Sequence, residues 1–323
     1  AGDLTTAQLR RQATIGARVV VSDSNRRRVF LPQYTQQDLG ATLGAQDVIG
    51  RNSAVLNPFP NRGSAAQTVS VLRGVQSVHA PENTGYSSFP EHRPFAAIDG
   101  RTDTSWLVDR TLPPSARWID VTFDGPTDVP YVDILPANGP RGVVTAVEVN
   151  GRTVPVGLGW TRVKVGAKDL RTLRVRIAGV RQPADRDGTN GGLRELRIPG
   201  VHATELLRPP VLAARALAGT DLRHTELTYL FQRTTGDDPY RRDPVTGDAA
   251  MGDTRNRGDA ERTIDRLLFT PAARRYAVDA WVHPAAAAPD PDFDRLAGTR
   301  GPGTFTSSSR FHGLPGYRAS SAF

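Results

Sequence analysis

The sequence lacks cysteine altogether and contains almost no lysine. With 0 Cys in 323 residues, disulfide bonds, thiol catalysis and thiolate metal sites are excluded. Lys164 and Lys168 are the only lysines, and neither directly follows a glycine, as a phosphate-binding P-loop requires. The 6 histidines never fall at a zinc spacing such as His-Glu-x-x-His. Thiol, P-loop and zinc-protease chemistry therefore have no sequence support.

Long apolar runs and clustered basic residues are also missing. No apolar run approaches the length of a transmembrane helix. The formal net charge of +8 would favour an anionic polymer, but the arginines are dispersed and no basic element with interleaved aromatics is visible, so we expect no nucleic-acid binding. No Gly-x-Ser-x-Gly elbow exists for an acyl enzyme. Carboxylates are plentiful, so a glycosidase pair stays open, because separation in space is invisible in a sequence.

What is present is a long region with the period of β-strands. Between Thr68 and Pro199, apolar and polar residues alternate, and turn residues separate the runs. The alternation predicts strands over 68–73, 117–123, 129–135, 143–149, 160–165, 171–178 and 193–198. Short strands at this spacing are typical of a β-sandwich. We therefore predict a mostly β protein whose main unit is a sandwich.

The regions on either side have different patterns. Thr5 and Gln8 form a capping box before a helix over 7–14, and an apolar strand over 17–21 follows. After the sandwich, the sequence predicts a helix over 209–218 and strands over 227–231, 263–269 and 276–283. The predicted organisation is the end of an α/β domain (1–30), a linker or surface excursion (31–66), the sandwich (67–200), a second small β-rich domain (201–300) and the start of a truncated further module (301–323).

One stretch inside the sandwich carries a possible ion site. Asp99-Gly100 predicts a turn, Asp103-Thr104 adds further side-chain oxygens, and a half-buried strand follows from Trp118. An acidic turn that leads into a strand makes a rigid corner lined with oxygen. Such a corner suits a hard cation such as calcium better than it suits catalysis.

The motifs around this stretch resemble known families. AIDG at 97–100, DTSW at 103–106 and WIDV at 118–121 resemble a coagulation factor 5/8 type C (discoidin-like, galactose-binding-like) module, a jelly-roll β-sandwich that binds sugars or other surface ligands. The order of several further motifs resembles the extracytoplasmic half of actinobacterial α-(1→3)-arabinofuranosyltransferases, which build cell-wall arabinan. These further motifs are VVVSDSNRRR at 19–28, QTV at 67–69, RGVQSV at 73–78 and GLRELRIPG at 192–200.

The type C resemblance implies a structural calcium site. Transferred to this sequence, its ligands are Asp99, Asp103, Thr104 and Glu195, with backbone carbonyls completing the shell. Arg101 departs from the pattern, because an asparagine often stands there. The alternative is a hydrogen-bonded turn without metal, in which Arg101 supplies the positive charge.

The same resemblance implies a sugar site in the loops at one end of the sandwich. Sugars need an exposed aromatic face and nearby polar groups. The residues with suitable side chains in suitable loops are Tyr86, His92, Arg93, Asn138, Arg141 and Trp160. For Trp160 the alternative is a residue at the start of a strand, half covered by its neighbours.

The resemblance also implies a function and a location. We expect a non-catalytic region that binds arabinan-like cell-wall polysaccharide at the extracytoplasmic face of the plasma membrane. Its other partner would be the membrane half of the same polypeptide, which carries the glycosyl transfer and any membrane spans. Two alternatives stay open: a structural spacer without its own ligand, and a glycan-cleaving enzyme on a β-sandwich.

Overall fold

A computed structural model describes residues 4–30, 41–47, 54–55, 57–81, 92–109, 111–182, 184, 189–232 and 263–280. Its helices are α1 (Thr6–Thr14) and α2 (Leu212–Leu217). Its strands are β1 (Val19–Ser22), β2 (Val29–Phe30), β3 (Ala54–Val55), β4 (Val69–Arg73), β5 (Ser77–His79), β6 (Trp106–Leu107), β7 (Trp118–Pro136), β8 (Val143–Val149), β9 (Arg152–Pro155), β10 (Thr161–Arg181), β11 (Gly192–Arg197), β12 (Thr204–Arg208) and β13 (Leu227–Leu230). Neither helix in these ranges has the length and apolarity needed to cross a bilayer.

Two long antiparallel strands build the sandwich. The first half of β7 pairs with the second half of β10, as Asp120 does with Arg174, and the second half of β7 pairs with the first half of β10, as Asp133 does with Arg162. The register shifts three times between these halves, over residues 164–172 of β10. Such irregularities bend strands, so each long strand passes from one layer of the sandwich to the other.

The remaining strands extend the two layers. The first sheet contains β5, the first half of β7, the second half of β10, β8 and β9. The second sheet contains β6, β11, the second half of β7 and the first half of β10. Gly192 permits the close approach of β11 to β6, because a Cβ there would lie 1.9 Å from the carbonyl oxygen of Trp106.

Alternating side chains of both sheets meet in one core. Ile119, Val121 and Leu173 from the first sheet share a buried cluster with Val132 and Ile134 from the second sheet, and all five are 0% exposed. The residues between them in sequence, such as Asp120 and Asp133, point outward and are half-buried. The period-2 pattern thus gives the sandwich one dry interior and two outer faces.

A smaller unit joins residues 6–22 to residues 211–230. Strand β1 pairs in parallel with β13, so that Val19 lies opposite Leu227, and α1 packs on α2. Leu9, Ala13 and Leu217 are buried in its core. A single strand and helix cannot cover each other's apolar faces, and residues 211–230 supply the missing partners of residues 6–22. The predicted domain boundaries themselves stay a prediction.

The predicted fold class is confirmed, and most individual elements are too. The capping box of Thr5 and Gln8 is present. The predicted strands at 117–123 and 129–135 are one bent strand, and so are those at 160–165 and 171–178. Gly125-Pro126 and Gly166 separate the predicted runs because such residues usually end a strand. The strands predicted at 263–269 and 276–283 are wrong for the described residues up to 280, which show only an isolated bridge from Arg266 to Leu207. Residues 281–283 lie outside the described ranges.

Candidate functional site

The predicted acidic turn and the strand β11 form a carboxylate corner, which consists of Asp99, Thr104 and Glu195. A buried 3-10 turn at Pro94–Ala97 delivers Asp99 to the surface of the sandwich. The Thr104 hydroxyl donates to Asp99 Oδ2 at 2.8 Å. The backbone N–H of Arg101 donates both to Asp99 Oδ1 at 3.0 Å and to Glu195 Oε2 at 3.1 Å. One shared donor therefore brings the two carboxyl groups together.

Burial makes both carboxyl groups hard to ionise, and the charge of Asp99 adds to the effect on Glu195. Burial raises the pKa of Asp99 to about 6. Burial, and then the charge of Asp99, raise the pKa of Glu195 to about 8. The backbone N–H of Arg101 and the charge of Arg197 oppose the shift of Glu195 but do not cancel it. At neutral pH the corner can therefore hold a proton or a cation between its two acids.

The structure brings together three of the four predicted metal ligands. Asp103 does not join Asp99, Thr104 and Glu195, because its carboxylate pairs with the Arg101 guanidinium at 2.8 Å and its side chain is 60% exposed. Across the described ranges, no group of three or more His, Cys, Asp or Glu side chains is arranged to hold a metal ion. The calcium site stays a prediction.

The corner is poorly arranged for glycosidic bond cleavage. A glycosidase pair must reach the scissile bond from two sides, but Glu195 is only 3% exposed. The known partners of Asp99 and Glu195 are the adjoining backbone N–H groups and the Thr104 hydroxyl. These bonds hold the carboxyl groups to the turn, so the geometry favours a structural role.

Trp160 is the most exposed of the predicted sugar-binding residues that the structure describes. It immediately precedes β10, and 41% of its surface is exposed. The guanidinium of Arg197, from β11, lies 4.0 Å from the centre of its ring. Since Thr161 lies opposite Ile134 and Glu195 lies opposite Leu135, Trp160 is level with the carboxylate corner, on the outer face of the second sheet.

The loop of residues 137–142 follows β7 at the same end of the sandwich. Asn138 Oδ1 accepts a hydrogen bond of 2.8 Å from the backbone N–H of Val144, and this bond ties the loop to β8. Its amide Nδ2 is buried and has no hydrogen-bond partner in the described part of the chain. The backbone oxygen of Arg141 accepts from Thr189, and its side chain is half-buried. Because Asn138 Nδ2 is buried, the half-buried side chain of Arg141 is the donor that this loop could offer to a ligand.

The structure places His92 and Arg93 in interior contacts. His92 is 4% exposed, and its Nδ1 lies 2.8 Å from the Ser105 hydroxyl. Arg93 pairs with Glu205, and its side chain is 20% exposed. The Arg93–Glu205 pair connects the turn before Asp99 to strand β12, and the burial of His92 leaves it no open face for a sugar. Tyr86 lies outside the described residues.

Sequence reasoning missed four side chains beside Trp160. With it they form the arginine row on the outer face of the second sheet: Trp160, Arg197, Asp133, Arg162 and Tyr131. Asp133 lies between the two arginines because it faces Arg162 on β10 and Arg197 on β11. Arg162 bonds to both Asp133 oxygens, at 2.8 and 2.9 Å, and lies 4.0 Å from the Tyr131 ring centre. The alternation of aromatic, acidic and basic residues in the sequence indicates an outward face. Which of these side chains meet depends on the register between β7, β10 and β11.

No family model and no curated relative matches this chain. Solved structures do. The chain is similar to the arabinofuranosyltransferase AftD from Mycobacteria, with 21% identity and a TM-score of 0.47 over 62% of this chain and 17% of that one. It is also similar to an F5/8 type C domain from Bacteroides fragilis, with 15% identity and a TM-score of 0.28 over 38% of this chain and 89% of that one.

A third similar structure is the chitosan-binding module 2 of a chitosanase/glucanase from Paenibacillus, in complex with chitotriose. It has 14% identity and a TM-score of 0.26 over 42% of this chain and 98% of that one. Both groups that the sequence motifs resemble are thus among these structures. This chain spans 17% of the AftD chain's length. At such identities and TM-scores the similarities do not by themselves assign a function.

Proposed function

We propose that this chain is a non-catalytic carbohydrate-binding region of a membrane-bound arabinofuranosyltransferase, and that it binds arabinan-like cell-wall glycan. The observation that carries the proposal is Trp160. It presents an exposed indole next to polar groups, at the end of a rigid sandwich. Aromatic faces beside a few fixed polar groups are the usual means by which proteins hold sugars.

The surroundings of Trp160 supply the polar part of such a site. Arg197 holds the indole in one orientation, and its own N–H groups face solvent beside it. The 137–142 loop, with Asn138 and Arg141, lies at the same end of β7. We expect shallow and weak binding by one module, with affinity gained when several modules engage one polymer.

The carboxylate corner has a supporting role in this proposal. Asp99, Glu195 and Thr104 would hold a calcium ion, with backbone carbonyls of the turn completing its shell. The raised pKa values of the two acids support this, because a cation would stabilise carboxylates that burial, and for Glu195 also the charge of Asp99, makes hard to ionise. Bound calcium would fix the turn next to the arginine row, and it would do no chemistry.

The proposal also covers the setting of the chain. The motif order at 19–28, 67–78 and 192–200 supports a place in an arabinofuranosyltransferase. We assign the glycosyl transfer to a membrane half outside this sequence, and place this region at the extracytoplasmic face of the plasma membrane. In the described ranges, the geometry of the carboxylate corner supports a structural role rather than bond cleavage.

The proposal is tested by titrating the 323-residue chain with arabino-oligosaccharides, in the wild type and in Trp160→Ala. We expect millimolar binding that the substitution weakens by roughly ten-fold, since stacking on an aromatic is worth about 1 kcal/mol or more. Leu158→Ala is the matched control, because Leu158 is a 70% exposed apolar residue of the same loop without an aromatic face.

Three outcomes would count against the proposal. Equal binding by the wild type and Trp160→Ala would remove Trp160 from the site. No binding at millimolar sugar, by a chain shown to be folded, would leave the structural spacer. Shortening of the oligosaccharide during the titration would point to the glycan-cleaving alternative.

A further inference from the structure

The two outer faces of the sandwich carry the same unusual contact. On the first sheet, the Arg174 guanidinium lies 4.0 Å from the centre of the Trp118 ring. On the second sheet, Arg197 lies at the same distance from the centre of the Trp160 ring. Both arginines are exposed residues on outward positions of a strand. The sandwich therefore offers an internal comparison for what surrounds a stacked arginine.

On the first sheet, carboxylates match the arginines. Arg174 donates to both oxygens of Asp120, at 2.7 Å each. Its neighbour Arg176 pairs with Glu148. Each of these two guanidiniums thus has its own carboxylate from an adjacent strand, and the face holds as many of these acids as arginines.

On the second sheet, fewer carboxylates than basic side chains face outward. Asp133 is the carboxylate of the row, and Arg162 takes both of its oxygens. Arg197 forms no ion pair or hydrogen bond through its guanidinium with the described residues, and nor does the exposed Lys164 that lies opposite Tyr131. Glu195 is hydrogen-bonded to the backbone of the acidic turn, so the Arg197 charge acts on Glu195 and on Asp133 without a direct ion pair. Arg197 and Lys164 therefore form no ion pair with a carboxylate in the described structure.

The other arginines that lie over aromatic rings have a carboxylate partner that Arg197 lacks. Within the described ranges, five arginines lie over an aromatic ring. In four of the five contacts the arginine also holds a carboxylate: Arg93 with Glu205, Arg162 with Asp133, Arg174 with Asp120, and Arg266 with Asp23. Arg197 is the exception.

We propose that a carboxylate of the ligand forms an ion pair with the Arg197 guanidinium, so that the outer face of the second sheet binds a glycan bearing uronic acids. A guanidinium that is already oriented by an aromatic ring accepts a planar carboxylate with two parallel hydrogen bonds. The exposed indole of Trp160 meets the sugar ring, and Lys164 attracts the next carboxylate along the chain. The inference rests on the proposed glycan-binding function and specifies an acidic polymer.

The test compares two oligosaccharides on the intact 323-residue chain: oligogalacturonate and a neutral arabino-oligosaccharide of equal length. We expect oligogalacturonate to bind more tightly, and added salt to weaken it because exposed charges are screened. Arg197→Gln should weaken oligogalacturonate by about five-fold, as one exposed charge contact is worth up to about 1 kcal/mol. Arg174→Gln is the matched control, since it removes an equally stacked arginine from the opposite face.

The outcomes separate this inference from the function on which it rests. If the neutral sugar binds and oligogalacturonate binds no better, the glycan-binding proposal stands and this inference falls. If only oligogalacturonate binds, the result supports an acidic glycan as the ligand and contradicts binding of neutral arabinan. Equal losses in Arg197→Gln and Arg174→Gln would overturn it. So would binding to vesicles of anionic lipid without binding to oligogalacturonate, because the face would then be a membrane surface.

Discussion

The two outer faces of the sandwich share a core and a pattern of residues but differ in how their arginines are paired. We call the first face closed, because its arginines form ion pairs, and the second face open, because Arg197 forms none. On the first face, Arg174 and Arg176 are each paired with an acid, and Trp118 is half-buried. On the second face, Arg197 has a ring contact but no ion pair, and Trp160 is exposed. Because its stacked arginine has no ion pair, we expect the second face rather than the first to bind a ligand.

Register explains why the faces differ. Asp120 lies directly opposite Arg174, and Glu148 directly opposite Arg176, so acids and bases alternate across the strands of the first sheet. In the second sheet, one acid lies between two arginines. A cross-strand pair of opposite charge stabilises its sheet. In the second sheet Arg162 donates to both Asp133 oxygens, so Arg197 lies opposite Asp133 without an ion pair of its own.

The largest effect should come from the core that both faces share. Leu173→Ala in the first sheet and Ile134→Ala in the second should each lower the free energy of unfolding by about 2–5 kcal/mol, because both side chains are fully buried. Urea unfolding followed by tryptophan fluorescence and by circular dichroism measures this. Coincident transitions are expected in both variants. A variant that loses one sheet before the other would break the comparison, since the faces would then differ in folding and not only in charge.

A smaller effect should appear with pH at the edge of the open face. The folded-state pKa of Glu195, about 8, lies above its ordinary value of 4.5. The folded chain therefore holds a proton that the unfolded chain has released, and stability should fall as pH rises from about 5 to about 8. Glu195→Gln should remove on the order of 2 kcal/mol of this fall. Thermal unfolding across this pH range, in the presence of a chelator, provides the measurement.

Asp103→Asn serves as the control for that pH series, because the Asp103 carboxylate faces Arg101 and not Glu195. Its stability should fall with pH as the wild type does. Added calcium should raise the melting temperature of the wild type at pH 8 more than that of Glu195→Gln, since a ligand stabilises only the state that binds it. An equal rise in both proteins would argue against calcium in the carboxylate corner.

The smallest effect should separate the two stacked arginines directly. Arg174→Gln removes a ring contact and two hydrogen bonds to Asp120, and should cost about 0.5–1 kcal/mol of unfolding free energy after solvent screening. Arg197→Gln removes only the ring contact and should cost about half as much or less. Urea unfolding at low and high salt compares them. Equal costs, or a larger cost for Arg197, would indicate that Arg197 already has a partner in the folded chain.

The sequence indicated the sandwich because its signal is local. Apolar residues at every second position, as in Ile119 and Val121, need only a pleated strand and one buried face. The capping box of Thr5 was equally local. Strand β12 was missed because Thr204–Arg208 is short, and its partner β4 lies more than 100 residues away in sequence. The continuity of β7 was missed because Gly125 and Pro126 usually end a strand.

The candidate site was predictable only in part, because side-chain partners depend on register. Asp99, Thr104 and Glu195 were placed together by resemblance, and Trp160 was singled out as an aromatic in a loop. The burial of His92 could not be read from its neighbours in sequence. Arg197 and Asp133, 64 positions apart, become neighbours only when β11 pairs with β7. A period-2 pattern says which residues point outward, but not which of them meet.

The most direct test of the open face uses the indole N–H signals of the chain's 4 tryptophans. An arabino-oligosaccharide and an oligogalacturonate would each be titrated into the nitrogen-15-labelled chain, with Trp160→Phe and Trp118→Phe assigning two of the signals. We predict that the Trp160 signal shifts with saturating dependence on sugar while the Trp118 signal, on the closed face, stays in place. A Trp160 signal that does not move at millimolar sugar, or a Trp118 signal that moves as far, would contradict it.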